Sequence, residues 1–275
     1  MIYKNIKNFQ IRKKGYTLIL SLDRPPVNAM NEEVFTELHK LVENVNTDPN
    51  IITVIITSAL TKVFTVGADV KELLKKYGSK RKLKNAINNL DLVHETYKLI
   101  ESSPKPFIVA FRGLSYGGGI ELGCTCDIRI ASRDAVFAMP ETRIAFIPGY
   151  GGTQRLPRLI GSGAAKKFIF SGEPMNAITA LKVGLVDEIT PKNKELDLAI
   201  KIAESIAKGS PRSTAFAKRA INEGRNLSLE EALEKEKEFF IKNLNTKECY
   251  EGVFAFIKKR EPNFKRVGNQ HPEKI

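Results

Sequence analysis

The sequence predicts an α/β fold that is completed by a helical C-terminal region. Strand-like and helix-like segments alternate over the first two thirds of the 275 residues, and from about residue 194 onward the strand signals stop. The hydrophobic fraction of 42% and the charged fraction of 27% are those of an ordinary globular protein. Because such alternation is typical of an α/β core, we divide the chain into an α/β body at 1–193 and a helical region at 194–275.

Apolar segments predict the strands of the body. The runs IITVIITS and PFIVAF are continuously apolar or β-branched, which is typical of strands that are buried on both faces. The run TLILSL, with an alternation of apolar residues before it, predicts a first pair of strands. The expected strands lie at residues 16–22, 51–58, 106–111, 126–132, 135–140 and 183–190.

Apolar residues at helical spacing predict the helices. In the body they indicate a helix over 31–48, with Asn31 as its N-cap, and a helical stretch over 71–104 that is interrupted by a polar break. In the C-terminal region helical segments follow one another, and Ser228 with Glu231 has the spacing of a capping box.

Charge and cysteine content narrow the class of protein. The net charge of +13 favours anionic partners, although the lysines are spread along the chain as in solvated helix faces. Three cysteines do not make a disulfide framework, so we expect a reducing, cytoplasmic setting. The sequence contains no apolar run of about 18 residues, and no membrane partner is therefore expected.

The stretch GLSYGGGIELG, at 113–123, fits the G-x-S-x-G pattern of serine hydrolases. In hydrolases with this pattern the histidine base follows the serine along the chain. The only histidine after Ser115 is His271, in a polar tail, so Ser115 has no suitable base. The spacing of a zinc site, a Walker A loop and a dinucleotide fingerprint are also absent, so we expect neither a metal nor a nucleotide cofactor. The net positive charge is the only feature that would support a nucleic-acid partner. Because no recognised nucleic-acid-binding motif accompanies it, we expect no such partner.

Two glycine-containing turns and two glutamates carry the candidate chemistry. Gly67-Ala68-Asp69 and Gly117-Gly118-Gly119 each follow a strand-like segment and open a helix, so that exposed N–H groups of both turns could converge as an oxyanion hole. Glu121 follows the second turn and Glu141 lies among apolar residues, where carboxylates can serve as acid and base. Each glutamate could equally be a helix-end charge, and spacing does not show that the two meet.

Longer segments, in order and over nearly the whole chain, carry a family pattern. They are PPVNAMN (25–31), FTVGADVKEL (64–73), KPFIVAFRGLSYGGGIELGCTCDIRIAS (105–132), MPETRIAFIPGYGGTQRLPRLIG (139–161), SGEPMNAITALKVGLVDEI (171–189) and EGVFAFIKKREPNFK (251–265). Together they resemble the crotonase superfamily in its enoyl-CoA hydratase branch. The resemblance implies a crotonase-like spiral of ββα units, with a helical C-terminal trimerisation region whose trimers often pair into hexamers.

The resemblance also implies an activity and its residues. The substrate would be an acyl-CoA thioester of the kind met in fatty acid metabolism, with no cofactor beyond the CoA that the substrate carries. Ala68 and Gly118 match the two N–H donors to the thioester oxygen, Glu121 and Glu141 the acid/base carboxylates, and Gly149 the glycine beside the catalytic water. Isomerases of the family usually keep one of these two glutamates, whereas this sequence has both, which favours a hydratase. A hydratase adds water reversibly to a 2-enoyl-CoA to give a 3-hydroxyacyl-CoA. The alternatives are a 3,2-enoyl-CoA isomerase and a non-catalytic CoA- or RNA-binding scaffold.

A CoA-binding set completes what the resemblance implies. In this sequence it comprises Arg24, Val27, Ala29, Ala68, Asp69 and Val70, together with Phe240, Phe256 and Lys259. The last three are expected to approach the CoA of a neighbouring subunit. By their positions in the sequence, Arg24 and Lys62 are candidates for attracting the CoA phosphates. The phosphates would be the anionic partner that the net positive charge favours.

Overall fold

The computed structural model describes residues 6–75 and 80–264 of the chain. Its strands are β1 (Phe9–Lys14), β2 (Thr17–Leu22), β3 (Thr53–Ser58), β4 (Val63–Thr65), β5 (Phe107–Phe111), β6 (Leu114–Tyr116), β7 (Ile128–Ser132), β8 (Val136–Ala138), β9 (Met175–Asn176) and β10 (Glu188–Thr190). Its helices are α1 (Glu32–Thr47), α2 (Val70–Lys75), α3 (Lys80–Glu101), α4 (Gly118–Thr125), α5 (Gly152–Ile160), α6 (Ser162–Ser171), α7 (Ala177–Val183), α8 (Glu195–Ile206), α9 (Pro211–Gly224), α10 (Leu229–Leu244) and α11 (Lys247–Ile257). A short 3-10 helix spans Glu141–Ile144.

The strands form two sheets. The larger sheet has the order β1-β2-β3-β5-β7-β10, in which β1 is antiparallel to β2 and the remaining neighbours are parallel. The smaller sheet has the order β4-β6-β8-β9, in which only β9 is antiparallel to its neighbour. The chain passes from β3 to β4, from β5 to β6 and from β7 to β8, and each passage leads from the larger sheet to the smaller one and then into a helix. This repetition is the predicted spiral of ββα units.

The interior between the two sheets is aromatic. The rings of Phe64 and Phe111 meet edge to face with centroids 5.0 Å apart, and Phe111 meets Phe137 in the same manner at 5.2 Å. All three side chains are buried, as are the six residues of β3 and the five of β5. The continuous apolar runs of the sequence therefore do mark strands that are covered on both faces.

The C-terminal helices divide into two groups. Helix α8 covers the outer face of the larger sheet, where Ala199 and Ala203 pack among the isoleucines of β2, β3, β5 and β7. Helices α9 and α10 pack against each other. Helix α9 is joined to the body through the buried Nζ of Lys218, which donates to the carbonyl of Lys105 at 3.0 Å and lies 2.8 Å from Asp127 Oδ2. The boundary at residue 194 remains a prediction.

Most local predictions are confirmed, and one strand was predicted too long. Asn31 caps α1 by accepting from the N–H of Val34, and Ser228 with Glu231 forms the capping box. The expected strand at 183–190 is wrong in its first half, because Val183 ends α7 and Gly184 adopts a left-handed φ of 81° that stops the helix. The polar break predicted at Gly78-Ser79 lies outside the described residues.

Asn28 connects the ends of three strands. Its Nδ2, which has two hydrogens to share, lies 2.8–3.1 Å from three acceptors, the carbonyls of Leu22 and Phe64 and Ser58 Oγ, and its Oδ1 accepts from the N–H of Arg24. The side chain is fully buried, and the backbone has a left-handed φ of 52°, which Asn tolerates better than most residues.

The Asn28→Ala variant should lose about 3 kcal/mol of unfolding free energy, because buried acceptors lose their donors. Urea denaturation measures the loss. Asn88→Ala is the matched control, since Asn88 is exposed on α3 and alanine is a better helix former there. Equal stability of the two variants would contradict this structural role of Asn28.

Candidate active site

Helix α4 begins at the glycine run and lies directly on the strands beneath it. Gly117, with a φ of 47°, caps the helix in a conformation that favours glycine. A methyl group at Gly119 would lie 2.2 Å from Thr65 Cγ2, and one at Gly123 would lie 2.2 Å from Phe111 Cζ. Both positions therefore require glycine, and the close packing fixes α4 against β4 and β5.

The two predicted turns meet at this end of α4. A methyl group at Gly67 would lie 3.1 Å from the Gly118 nitrogen. The backbone N–H of Met30 donates to the Gly67 carbonyl at 2.8 Å, and the Met30 carbonyl accepts from the Asp69 N–H at 3.0 Å. In this parallel bridge the N–H of Ala68 points away from Met30. Among the residues that the structure describes, neither Ala68 N–H nor Gly118 N–H donates a hydrogen bond. Two adjacent N–H groups are thus available to one acceptor.

Glu121 lies one turn into α4 and is only 1% exposed. Its Oε1 accepts from the N–H of Tyr150 at 2.9 Å and from the N–H of Gly152, the first residue of α5, at 2.7 Å. Burial raises the pKa of Glu121 to about 8, and the negative charge of Glu141 adds to the rise. Because Oε1 already accepts two N–H groups, a proton on this carboxyl belongs on Oε2.

Glu141 approaches the same end of α4 from the 3-10 helix. A methyl group at Gly117 would lie 2.6 Å from Glu141 Oε1, so the carboxylate rests directly against the cap of α4. Its Oε2 is buried and has no hydrogen-bond partner in the described ranges. Burial raises the pKa of Glu141 above the ordinary value. The structure therefore brings the two glutamates to one site, where a buried carboxylate oxygen is left for a water molecule or a substrate.

Apolar and aromatic side chains enclose Gly118. A methyl group there would lie 2.9 Å from both Met30 Cε and Tyr150 Cδ2. The Tyr150 ring packs edge to face on Phe35 with centroids 5.2 Å apart, and the hydroxyl of the buried Tyr97 donates to the Gly118 carbonyl at 3.0 Å. These groups give the glycine turn a rigid, largely apolar wall.

Gly149 lies beside this site, and its place next to a catalytic water stays a prediction. It precedes Tyr150, whose N–H binds Glu121, and its carbonyl lies 2.8 Å from His94 Nε2. A methyl group at Gly149 would lie 3.9 Å from the Ile147 carbonyl oxygen and from Leu90 Cδ1, which is an ordinary contact distance.

The predicted CoA-binding residues of the N-terminal part come together. Arg24 lies 3.1 Å from Asp69 Oδ2 and donates to the Ala29 carbonyl at 2.7 Å, while the Val27 carbonyl accepts from Val66 N–H. Val70 is exposed at the start of α2. The Arg24 charge is thus partly compensated within the chain. Exposed side chains also occur at Phe240, Phe256 and Lys259 in the C-terminal part, and their contact with a neighbouring subunit stays a prediction.

A family model described as enoyl-CoA hydratase/isomerase matches residues 13–267. The chain belongs to this family. The short-chain-enoyl-CoA hydratase of Clostridium acetobutylicum is 34% identical over 257 residues, which are 93% of this chain and 97% of that relative. The crotonyl-CoA hydratase of Syntrophomonas wolfei is 34% identical over 265 residues, which are 96% of this chain and 99% of that relative.

Solved structures of the family share this fold. A crystal structure of enoyl-CoA hydratase from Bacillus anthracis has a TM-score of 0.88 and 36% identity, and the match covers 94% of this chain and 99% of that chain. The crotonase fold with C-terminal helices and the assignment to the enoyl-CoA hydratase branch of the superfamily are thereby confirmed. The chain is an enzyme of the enoyl-CoA hydratase/isomerase family.

Sequence reasoning missed several groups that hold this family's candidate site in place. Tyr150 and Gly152 act through backbone N–H groups, which leave no signal of residue type. Arg155 makes two hydrogen bonds of 2.7 Å with Glu101, and its guanidinium lies 5.7 Å from the centre of the Tyr97 ring. The Arg155–Glu101 pair joins α5 to α3. Only the folded arrangement of these helices shows the connection.

No helix in the described part of the chain has the length and apolar character that crossing a membrane requires. Over the described ranges, no cluster of three or more His, Cys, Asp or Glu side chains could hold a metal ion.

Proposed function

We propose that the protein is an enoyl-CoA hydratase, which adds water reversibly across the 2,3 double bond of a 2-enoyl-CoA to give a 3-hydroxyacyl-CoA. The observation that carries the proposal is a pair of carboxylates at the end of α4, the buried Glu121 and the half-buried Glu141 with its buried Oε2. Beside them, the Ala68 and Gly118 N–H groups have no acceptor among the described residues. The names of the two hydratase relatives support the same reaction.

In the proposed reaction the thioester carbonyl oxygen accepts hydrogen bonds from Ala68 N–H and Gly118 N–H. These bonds strengthen as negative charge develops on the oxygen, and each such donor is typically worth about 3–4 kcal/mol in a transition state. Withdrawal of electrons toward the oxygen makes Cβ of the enoyl group electrophilic. The apolar wall of Met30 and Tyr150 beside Gly118 excludes water from the oxygen and keeps the interaction strong.

The two glutamates handle the protons. Together they hold one water molecule, and the pair carries one proton. The ionised carboxylate takes a proton from the water as its oxygen attacks Cβ, and the protonated carboxyl gives its proton to Cα as the enolate collapses. The proton taken from the water replaces the one delivered, so that the pair ends each turnover with a single proton. This chemistry needs no metal or redox cofactor.

The pH dependence of kcat for hydration should be bell-shaped with an upper limb near pH 8. Burial holds the pKa of Glu121 at about 8 and raises that of Glu141, so one proton stays on the pair at neutral pH. Above pH 8 both carboxylates ionise and no acid remains, whereas at low pH both are protonated and no base remains. Initial rates between pH 5 and pH 10 measure the profile, with circular dichroism as the control for folding. A rate that keeps rising above pH 9 would contradict the shared proton.

The proposed function is tested by the absorbance of the conjugated enoyl thioester. With crotonyl-CoA as substrate, a hydratase removes this absorbance, and mass spectrometry should identify the product as 3-hydroxybutyryl-CoA. With a 3-enoyl-CoA, an isomerase would instead create the absorbance. Turnover of only the 3-enoyl-CoA would replace the hydratase with the isomerase, and CoA-ester binding without either reaction would indicate a non-catalytic scaffold.

We also propose that the active form is a trimer or a pair of trimers in the cytoplasm. In such an assembly Phe240, Phe256 and Lys259 would meet the CoA of a neighbouring subunit, and the exposure of all three side chains supports this. Within one subunit, Arg24 and the exposed Lys62 are the proposed cations nearest the CoA phosphates.

A further inference from the structure

One peptide group connects the Glu121 carboxylate to a histidine on a different helix. The N–H between Gly149 and Tyr150 donates to Glu121 Oε1 at 2.9 Å, and the carbonyl of the same peptide lies 2.8 Å from His94 Nε2. In a trans peptide the C=O and the N–H point in opposite directions. The Gly149–Tyr150 peptide therefore spans the distance between the His94 side chain and Glu121.

His94 must be the donor in this contact. A carbonyl oxygen only accepts, so the proton lies on Nε2, as it does in one neutral tautomer and in the imidazolium. Within the described residues the Gly149 carbonyl accepts no other hydrogen bond. Within the described part of the chain, the His94 contact is therefore the hydrogen bond that holds the carbonyl side of this peptide.

The second donor to Glu121 is held differently. The Gly152 N–H belongs to the peptide whose carbonyl, on Gly151, accepts from the N–H groups of Gln154 and Arg155 at 3.0 and 2.8 Å. That peptide is part of the first turn of α5, and backbone bonds orient it. Of the two N–H groups that bind Glu121, one therefore belongs to a peptide held by backbone hydrogen bonds of a helix. The other belongs to a peptide whose carbonyl, among the described residues, is held by the His94 side chain.

We propose that His94 is a positioning residue for Glu121, which aims the Tyr150 N–H at Oε1 by holding the Gly149 carbonyl. The bond to the carbonyl also polarises the peptide and strengthens its N–H as a donor. A stronger N–H bond favours the ionised carboxylate and reserves Oε2 for proton exchange. The inference rests on the proposed function, since Glu121 is taken there as one of the two acid/base groups.

The test compares His94→Leu, which removes the donor, with His94→Gln, which keeps an N–H of similar reach. We expect His94→Leu to lower kcat for crotonyl-CoA about 3- to 10-fold, as for the loss of one hydrogen bond, with KM within about twofold. The upper limb of the pH profile should move to higher pH. His94→Gln should restore most of kcat, and the upper limb of its pH profile should lie at the wild-type pH. Because His94 is exposed, both variants should fold, which thermal denaturation checks.

Lys98→Leu is the matched control, because Lys98 is exposed one turn further along α3. It should leave kcat and the pH limb unchanged. Wild-type kcat in His94→Leu, a change confined to KM, or equal losses in His94→Leu and His94→Gln would each overturn the inference.

A second measurement separates the inference from the proposed function. The carboxyl carbon of Glu121 can be titrated by NMR in uniformly labelled protein without substrate. The charged groups that act on Glu121 include Glu141, from the 3-10 helix, and Arg155, from α5. The titratable side chains of Tyr97, Cys124 and Tyr150 also interact with it, and none of these five groups changes in the variants. His94→Leu should raise the pKa of Glu121 even if the protein has no hydratase activity. An unchanged pKa would overturn the role of His94, whereas an inactive wild-type protein would overturn only the proposed function.

Discussion

Replacing either Glu121 or Glu141 by Gln should lower kcat for hydration roughly 10³-fold, within the range of about 10²–10⁴ for a lost acid or base. Gln has nearly the same shape, and at position 121 its carbonyl can still accept from Tyr150 N–H and Gly152 N–H. The proton transfer is lost while the site keeps its form. Loss of enoyl absorbance measures kcat, and calorimetric titration with a non-reactive acyl-CoA measures binding, which should persist.

The control for these two variants is Glu95→Gln, an exposed position on α3. It should keep wild-type turnover. Activity within tenfold of wild type in either the Glu121 or the Glu141 variant would remove that carboxylate from the proposed chemistry. Loss of both turnover and acyl-CoA binding would point to a damaged site.

Replacing Gly118 by Pro should lower kcat by about 10²–10³ relative to Gly118→Ala, because proline deletes the N–H that we propose binds the thioester oxygen. Gly118 is the first residue of α4, where proline is tolerated. Both variants place a Cβ about 2.9 Å from Met30 Cε and Tyr150 Cδ2, so they share that part of the steric cost. The ratio of the two kcat values, measured with crotonyl-CoA, reports the loss of the N–H hydrogen and its replacement by the proline Cδ.

The comparison of the two Gly118 variants needs a check on folding, which circular dichroism and thermal denaturation provide. If Gly118→Ala and Gly118→Pro turn over equally, the Gly118 N–H does not bind the reacting oxygen. A loss in both that is recovered by shortening Met30 would assign the effect to crowding instead.

Sequence periodicity predicted the elements best where burial is continuous. Except for Ser58 at the end of β3, strands β3 and β5 consist of apolar or β-branched residues, and every residue of both strands is buried. The prediction failed in the first half of 183–190, where the segment VGLVDEIT contains a helix end, a left-handed Gly184 and a short strand. A run of that length fits helix or strand equally well, and only the packing of α7 decides where the strand begins.

The candidate site was predictable in its residue types but not in its assembly. Glu121 and Glu141 stood out as carboxylates among apolar residues, and the family resemblance gave them a joint role. Their meeting depends on how the 3-10 helix folds back on α4, which spacing does not encode. The supports of Glu121 were out of reach, because they are the N–H groups of Tyr150 and Gly152 and the side chain of His94, which lies far away in sequence.

Helix α4 carries both the Gly118 N–H and the Glu121 carboxylate, three residues or about 4.5 Å apart along its axis. The helical rise sets this spacing, and the close packing of Gly119 on Thr65 and of Gly123 on Phe111 holds the helix in place on the strands. Under the proposed reaction, the enzyme selects the position of the double bond by length. A substrate whose double bond lies one carbon further from its thioester would hold its oxygen correctly and present the wrong carbon to the water. Regioselectivity would then reside in the backbone of one helix, while acyl-chain preference is left to the surrounding side chains.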